Sequence, residues 1–263
     1  MTGQADELLA AGDVSGARAA LVDAIKRTPD DQRARMFLFQ LLAVQGEWDK
    51  ALAQLRALAQ LSPEAQMLAA TYNQAIAAEQ MRAKAFAGEV PFTVLIASSS
   101  WVDDLAQALT AFSAGRISEG EERRAQAFDA AADTPGELDG QRFAWLADAD
   151  GRFGPAFEAV VAGRWGLVPF EAVSDIKTEG PKDLRDVVWL PAEMRLKSGQ
   201  SFAAFLPARY PGTELESDPA VRLGRKTEWK VVAGGEGGLG QRVWQTDAGA
   251  ETGLLSLRQL TFD

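Results

Sequence analysis

Asp148 and Asp150 stand two apart in the segment ADADGR, with Gly151 directly after them. That spacing is how a calcium loop opens, because a hard cation wants several carboxylate oxygens on a sharply turning backbone. The rest of such a loop is missing. Phe153 and Pro155 stand where further ligands belong, and no glutamate closes the loop at its last position. The aspartates read better as turn and cap residues before a helix over 153–162, since aspartate oxygens accept from the free N–H groups of a helix start. No metal site is expected. As a catalytic carboxylate pair they would need pKa values driven apart by their surroundings, and no other residue pattern supports a hydrolase.

The chain contains no histidine and no cysteine. Ser-His-Asp and Cys-His catalysis are therefore excluded within it, as are thiolate zinc sites and disulfides. Only carboxylates, lysine, tyrosine or an oxygen-held cation could do chemistry. The glycine-rich AGGEGGLGQR (233–242) lacks the G-K-[ST] of a phosphate loop, and Glu236 within it would repel phosphate. It reads as a flexible hairpin turn. No cofactor is expected. Net charge is −10, spread along the chain rather than gathered in a tail. Nucleic acid and anionic membrane surfaces, which both select basic proteins, are unlikely partners on that ground.

Other residues have the chemistry of recognition. Arg185, in Leu184-Arg185-Asp186 ahead of the run VVWL, is either half of a surface or inter-domain ion pair or a binding residue. Arg209 and Tyr210 open the turn Arg209-Tyr210-Pro211-Gly212, and are either exposed anchors or packed on their own domain. Phe37, Phe39 and Gln40, with Trp48 and Tyr72, lie on segments of helical character. Phe39 falls off the apolar stripe formed by Phe37, Leu38, Leu41 and Leu42. It is either an exposed aromatic or packed on the next hairpin.

The elements that must position these residues repeat. Gly12-Asp13 returns as Gly46-Glu47, Ala17 as Ala51, Leu21 as Leu55, and Pro29-Asp30 as Pro63-Glu64, always 34 residues on. That is the period of the tetratricopeptide repeat, a helical hairpin that stacks into arrays. Glycine suits the bend between its two helices, alanine their close approach, and proline followed by an acid the next helix start. Helices are expected near 3–11, 14–27, 31–45, 48–61 and 64–87. The last is long, because Gln80 stands where a third repeat needs glycine. A degenerate unit covers 100–132, with Gly115 at its turn. The apolar run 90–100 is an inter-helix connection or a buried strand.

After Gly136 the texture changes. Five of the seven tryptophans lie beyond it, and Gly and Pro punctuate short β-like runs at 142–147, 165–169, 187–190, 202–207, 229–232, 241–246 and 254–260. A short helix is expected at 217–224. The fold class is α+β: tetratricopeptide-like helical hairpins in a domain over 1–135, then an α+β domain over 136–263 rich in short antiparallel strands. The polar start MTGQADELLAAGD carries no targeting pattern, and the missing cysteines fit a reducing compartment, so a soluble cytoplasmic protein is expected.

Longer strings carry a family likeness. FAWLADADGRFGPAFEAVVAGRWGLVPFE (143–171), PKDLRDVVWLPAE (181–193), PARYPGTE (207–214), RKTEW (225–229) and GLGQRVWQTDAGAETGLLSLRQLTF (238–262) follow AGDVSGARAALVDAIKRTPDD and FLFQLLAVQGEWDKALAQL at the front. In this order they resemble the ImpE family, also called TagJ, over nearly the whole chain. The serine-rich connection at 88–100 does not match. The resemblance implies a non-enzymatic accessory protein of bacterial type VI secretion. It implies binding to an N-terminal helical segment of the small sheath subunit TssB, and association with the AAA+ ATPase ClpV. The residues read as lining a helix-binding groove are Phe37, Phe39, Gln40, Trp48 and Tyr72, placed by helix position and not by the family. Two rivals stay open. One is an enzyme, a carboxylate hydrolase or nucleotide-binding module, using the repeats as a targeting arm. The other is a structural subunit that oligomerises through the repeats.

Overall fold

Seven helices come first: α1 (Gly3–Ala10), α2 (Val14–Arg27), α3 (Gln32–Val44), α4 (Trp48–Ala59), α5 (Pro63–Phe86), α6 (Trp101–Ser113) and α7 (Ile117–Ala130). The computed structural model describes residues 3–263; the first two residues of the segment read for a targeting signal lie outside it. Side-chain caps set the helix starts. Asp13 accepts from the Gly16 amide at 2.8 Å, Asp31 from Ala34 at 3.0 Å and Ser62 from Ala65 at 3.2 Å. Pro63 takes the first turn of α5, where its missing N–H costs nothing. Gly46 carries the chain from α3 into α4 at φ 69°, and a Cβ there would stand 2.7 Å from Cγ of Glu214. The bend and a contact with the distant C-terminal half therefore both require glycine. The five N-terminal helices and the α6–α7 hairpin fall where the repeat reading puts them.

The strands follow: β1 (Gly136–Leu138), β2 (Gln141–Phe143), β3 (Leu146–Asp148), β4 (Ala156–Val161), β5 (Arg164–Pro169), β6 (Val173–Lys177), β7 (Trp189–Leu196) and β8 (Ser201–Pro207). After the short α8 (Pro219–Arg222), at the site of the helix expected over 217–224, come β9 (Thr227–Val232), β10 (Gly235–Gly240), β11 (Val243–Thr246), β12 (Glu251–Gly253) and β13 (Gln259–Phe262). Eight strands form one antiparallel sheet in the order β2-β1-β13-β6-β7-β8-β4-β5. β9 and β10 make a hairpin, and β12-β11-β3 a small third sheet. The molecule is thus α+β, with helices leading and antiparallel strands closing the chain.

Three expectations are corrected. The helix expected over 153–162 is strand β4. It lies between β8 and β5 with Ala156 to Val160 all buried. A strand covered on both faces loses the polar–apolar alternation that would mark it, and a continuous apolar run does not distinguish it from a buried helix. Asp148 and Asp150 accordingly cap no helix there. The glycine-rich 233–242 is a hairpin turn only at Ala233 and Gly234: Gly235 to Gly240 form β10, paired in register with β9. Gly238 is needed because a Cβ would stand 2.2 Å from the Tyr210 ring. In the run 90–100, Val94 bridges Leu167 in parallel, and the Leu95 amide donates to the Leu167 carbonyl at 2.8 Å. This segment covers the outer edge of β5, which would otherwise offer free N–H and C=O groups.

Two of the three hydrophobic clusters cross from helices to strands. Val188, Trp189 and Leu223 sit in the cluster of α1 to α5, and Phe153, Val160, Trp165 and Leu167 in that of α6. Among the described residues, no helix is long and apolar enough to cross a membrane.

Candidate partner-binding site

Four of the residues predicted to bind meet at one place. Trp189 at the start of β7 lies 5.8 Å, ring to ring, from both Trp48 and Tyr72. Tyr72 in turn packs edge-on against Phe39 at 5.5 Å and beside Phe205 of β8 at 5.5 Å. The Arg185 guanidinium stands 4.7 Å from the centre of the Tyr72 ring, where the ring face attracts a cation. It is held there by Asp183 at 2.8 Å. Asp186 is not its partner; that carboxylate accepts from the backbone amides of Lys182 and Asp183. Burial pushes the Tyr72 hydroxyl up to about 12, against the pull of Arg185.

These residues form a junction between the halves of the molecule, not an open groove. Phe39 is wholly buried against Tyr72, which decides between its two readings for the packed one and against the exposed aromatic. Leu184–Val187, a short 3-10 turn, packs on α3. The C-terminal half therefore occupies that face of the array itself. Phe37 and Gln40 border a shallow depression of about 310 Å3 shared with Arg33 and Met36.

Arg209 and Tyr210 are packed, not exposed. The Arg209 guanidinium donates to the Val44 carbonyl at 3.0 Å, satisfying the C-terminal end of α3. Burial brings Arg209 down to about 10. The Tyr210 hydroxyl donates to Asp148 at 2.9 Å, and burial raises it far above its ordinary range.

Tyr210 belongs to a buried ion cluster that the sequence reading missed. Arg82 of α5 holds Glu158 of β4 by two bonds, at 2.7 and 3.0 Å, and donates to the Arg209 carbonyl at 3.0 Å. Arg242 bridges Glu158 and Asp148, and the Trp165 indole donates to Glu158 at 2.8 Å. Burial works to raise Glu158, but Arg82 and Arg242 outweigh it and bring the carboxyl to about 2. For Asp148 burial wins, leaving it at about 6 in spite of Arg242. Acids driven apart in this way are what a carboxylate enzyme needs. Here, however, both are fully buried and neither lines a cleft. Their chemistry is that of a clamp between α5 and the sheets. Among the described residues, no group of three or more acidic side chains gathers as a cation site. No local signal marks this cluster, because its members come from positions 82, 148, 158, 210 and 242.

Two larger openings lie along α5. One cleft of about 700 Å3 is bounded by Thr71, Gln74 and Ala75 of α5, the β4–β5 turn, and Pro191, Ala203 and Phe205 of β7 and β8. A second, of about 450 Å3, follows at Ala77, Ala78 and Met81 and shares Gly163 with the first. Tyr72 and Arg185 stand behind the first cleft, through Phe205 and Asp186.

With this geometry in view, comparison with known proteins is informative. A tetratricopeptide repeat pattern matches residues 2–66, and the family described as ImpE protein matches residues 140–261. The type VI secretion system accessory component TagJ of Pseudomonas aeruginosa is 44% identical over 261 residues, covering 98% of this chain and 91% of the relative. The crystal structure of protein VPA1032 from Vibrio parahaemolyticus superposes with a TM-score of 0.86 over 99% of this chain and 97% of that one. At 23% identity that likeness speaks for the fold alone. The sequence likeness extends through repeats, junction and sheets, and on it the chain belongs to the ImpE family, also called TagJ.

Proposed function

We propose that this protein is a non-enzymatic adaptor of type VI secretion. In this reading it captures an N-terminal helical segment of the small sheath subunit TssB and associates with the ClpV ATPase. The observation that carries the reading is the 44% identity, over 98% of the chain, to an accessory component of that system. The architecture supports it: an array of helical hairpins carries open clefts, while the pKa-shifted carboxylates are sealed in a clamp. Helix-in-groove recognition draws its affinity from apolar anchors three and four residues apart, and the helical layer offers two places for them. One is the depression at Phe37 and Gln40; the other is the pair of clefts along α5. Phe39, Trp48, Tyr72, Arg185, Arg209 and Tyr210 then act by holding these surfaces in place.

Calorimetric titration of the purified protein with a peptide of the cognate TssB N-terminal helix tests the reading. Binding at micromolar affinity or tighter is expected. Absence of heat, with circular dichroism showing a folded protein, would remove this partner.

A further inference from the structure

The solvent face of α5 carries no charge for most of its length. Its exposed positions between Glu64 and Lys84 are Gln66, Met67, Ala70, Thr71, Asn73, Gln74, Ala77, Met81 and Ala83. The two charges in that span, Glu79 and Arg82, pair at 2.8 Å on the covered side. In a chain with 24% charged residues this is a local depletion, and charge depletion with methionine enrichment marks the centre of protein interfaces. Met67 is 74% exposed and Met81 47%. Met67, Thr71, Gln74, Ala77 and Met81 recur at three- and four-residue steps, the seam along which a second helix packs. The seam spans about 21 Å at 1.5 Å per residue, room for four turns of a partner helix. The small Ala70 and Ala77 let a neighbouring backbone approach.

A second, independent feature lies at the junction of the two clefts. Ala162 in the β4–β5 turn has φ 49°, followed by Gly163 at φ 75°. Such a turn prefers asparagine or aspartate first, and alanine at positive φ is strained. Strain of this kind collects at functional sites. Alanine here keeps the wall of the larger cleft small and uncharged, which asparagine or aspartate would not. Around the rim stand Lys177, Lys182 and Arg164 against Glu179, Asp186 and Glu193. Lys182 pairs with Glu179 and Lys177 lies 3.9 Å from Asp175, which leaves Arg164 as the rim cation without a carboxylate partner among the described residues.

We infer that the α5 face and its two clefts are the docking site for an amphipathic partner helix. That helix presents apolar residues three and four apart to the Met67–Met81 seam, with an acidic residue on the flank facing Arg164. The inference rests on the adaptor reading and places its helix on α5, not on the α3 depression.

The test is calorimetry of the full-length chain with the TssB helical peptide, comparing the parent with Gln74→Arg, Ala77→Arg and Phe37→Ala. Both α5 positions are exposed and arginine is a good helix former, so the fold should hold, as circular dichroism would verify. At least tenfold weaker binding is expected for each α5 variant, with Phe37→Ala unchanged. Equal binding by parent and α5 variants would overturn the site while leaving the partner. Loss confined to Phe37→Ala would move the site to α3. A parent that binds nothing fails as an adaptor for this helix, and the inference fails with it. A parent dimer in sedimentation that Ala77→Arg dissociates would make the occupant a second copy of the chain, which also overturns it.

Discussion

At the scale of single residues, Glu158 is a group whose charge state the fold depends on. It is fully buried, so removing or neutralising it leaves two buried guanidinium groups with one carboxylate each, Arg82 with Glu79 and Arg242 with Asp148, in a low-dielectric interior. Its carboxyl lies at about 2 in the fold against an ordinary 4.5. A depressed acid contributes stability that is fully present above its unfolded value and lost as pH falls through its folded value. The loss therefore runs from about pH 4.5 to about 2, on the order of 3 kcal/mol. Asp148 has the opposite sign. Burial raises it to about 6 from an ordinary 3.8, so its contribution grows as pH falls across that window and is constant below it. Below about pH 4 the Glu158 loss is unopposed by Asp148. Urea unfolding between pH 5 and pH 2.5 should show a steep fall in the parent and a shallower one in Glu158→Gln. Parallel slopes would assign acid sensitivity to other carboxylates. None of this was legible in sequence, because Glu158 sits in an apolar run and its cationic partners lie 76 and 84 residues away.

At the scale of elements, legibility followed the range of the forces. The repeat hairpins are set by local chemistry, in caps such as Asp13 and Ser62, the helix-starting Pro63, and Gly46 with its positive φ, so their limits could be read directly. Strand β4 is set by what covers it, and its sequence AFEAVV carries no local mark of that cover. Between these cases stands α5. Its length was readable from the missing breaker, but its uncharged face acquires meaning only once Glu79 and Arg82 are seen to point inward. Gly46 gives an element-scale prediction. Alanine there would hold φ near 69° at a steric cost and press its Cβ on Glu214 at 2.7 Å. Gly46→Ala should lose about 1–2 kcal/mol of stability in denaturant titration. A loss no larger than a few tenths would mean that the α3–α4 bend and the Glu214 contact relax freely.

At the scale of the whole molecule, the helices and sheets share two of the three hydrophobic clusters. The division at residue 135 read from composition follows a change of secondary structure, but the packing ignores it. Trp189 of β7 is buried among α4 and α5 aromatics, Arg82 of α5 closes the charge cluster of β4, and Arg209 ends α3. Removing the helical half would expose Trp189, Trp165 and the face of β5 at once, and would strip Glu158 of one of its two cations. Truncation is therefore a poor way to locate a binding site here, and exposed point substitutions are the sound one. The same coupling sets how the chain unfolds. Far-ultraviolet circular dichroism reports mainly the helices. Tryptophan fluorescence reports mainly the strand half, where five of the seven tryptophans lie. In urea the two signals should give one coincident transition, with equal midpoints and slopes, because two of the three hydrophobic clusters are shared between the halves. Arg82→Met should shift both midpoints together, since the bond it breaks belongs to both halves. Separate transitions, or a fluorescence midpoint that moves while the dichroism midpoint stays, would show that the junction is a contact between independently stable domains. The clefts along α5 would then open and close with inter-domain motion instead of being fixed by a single fold.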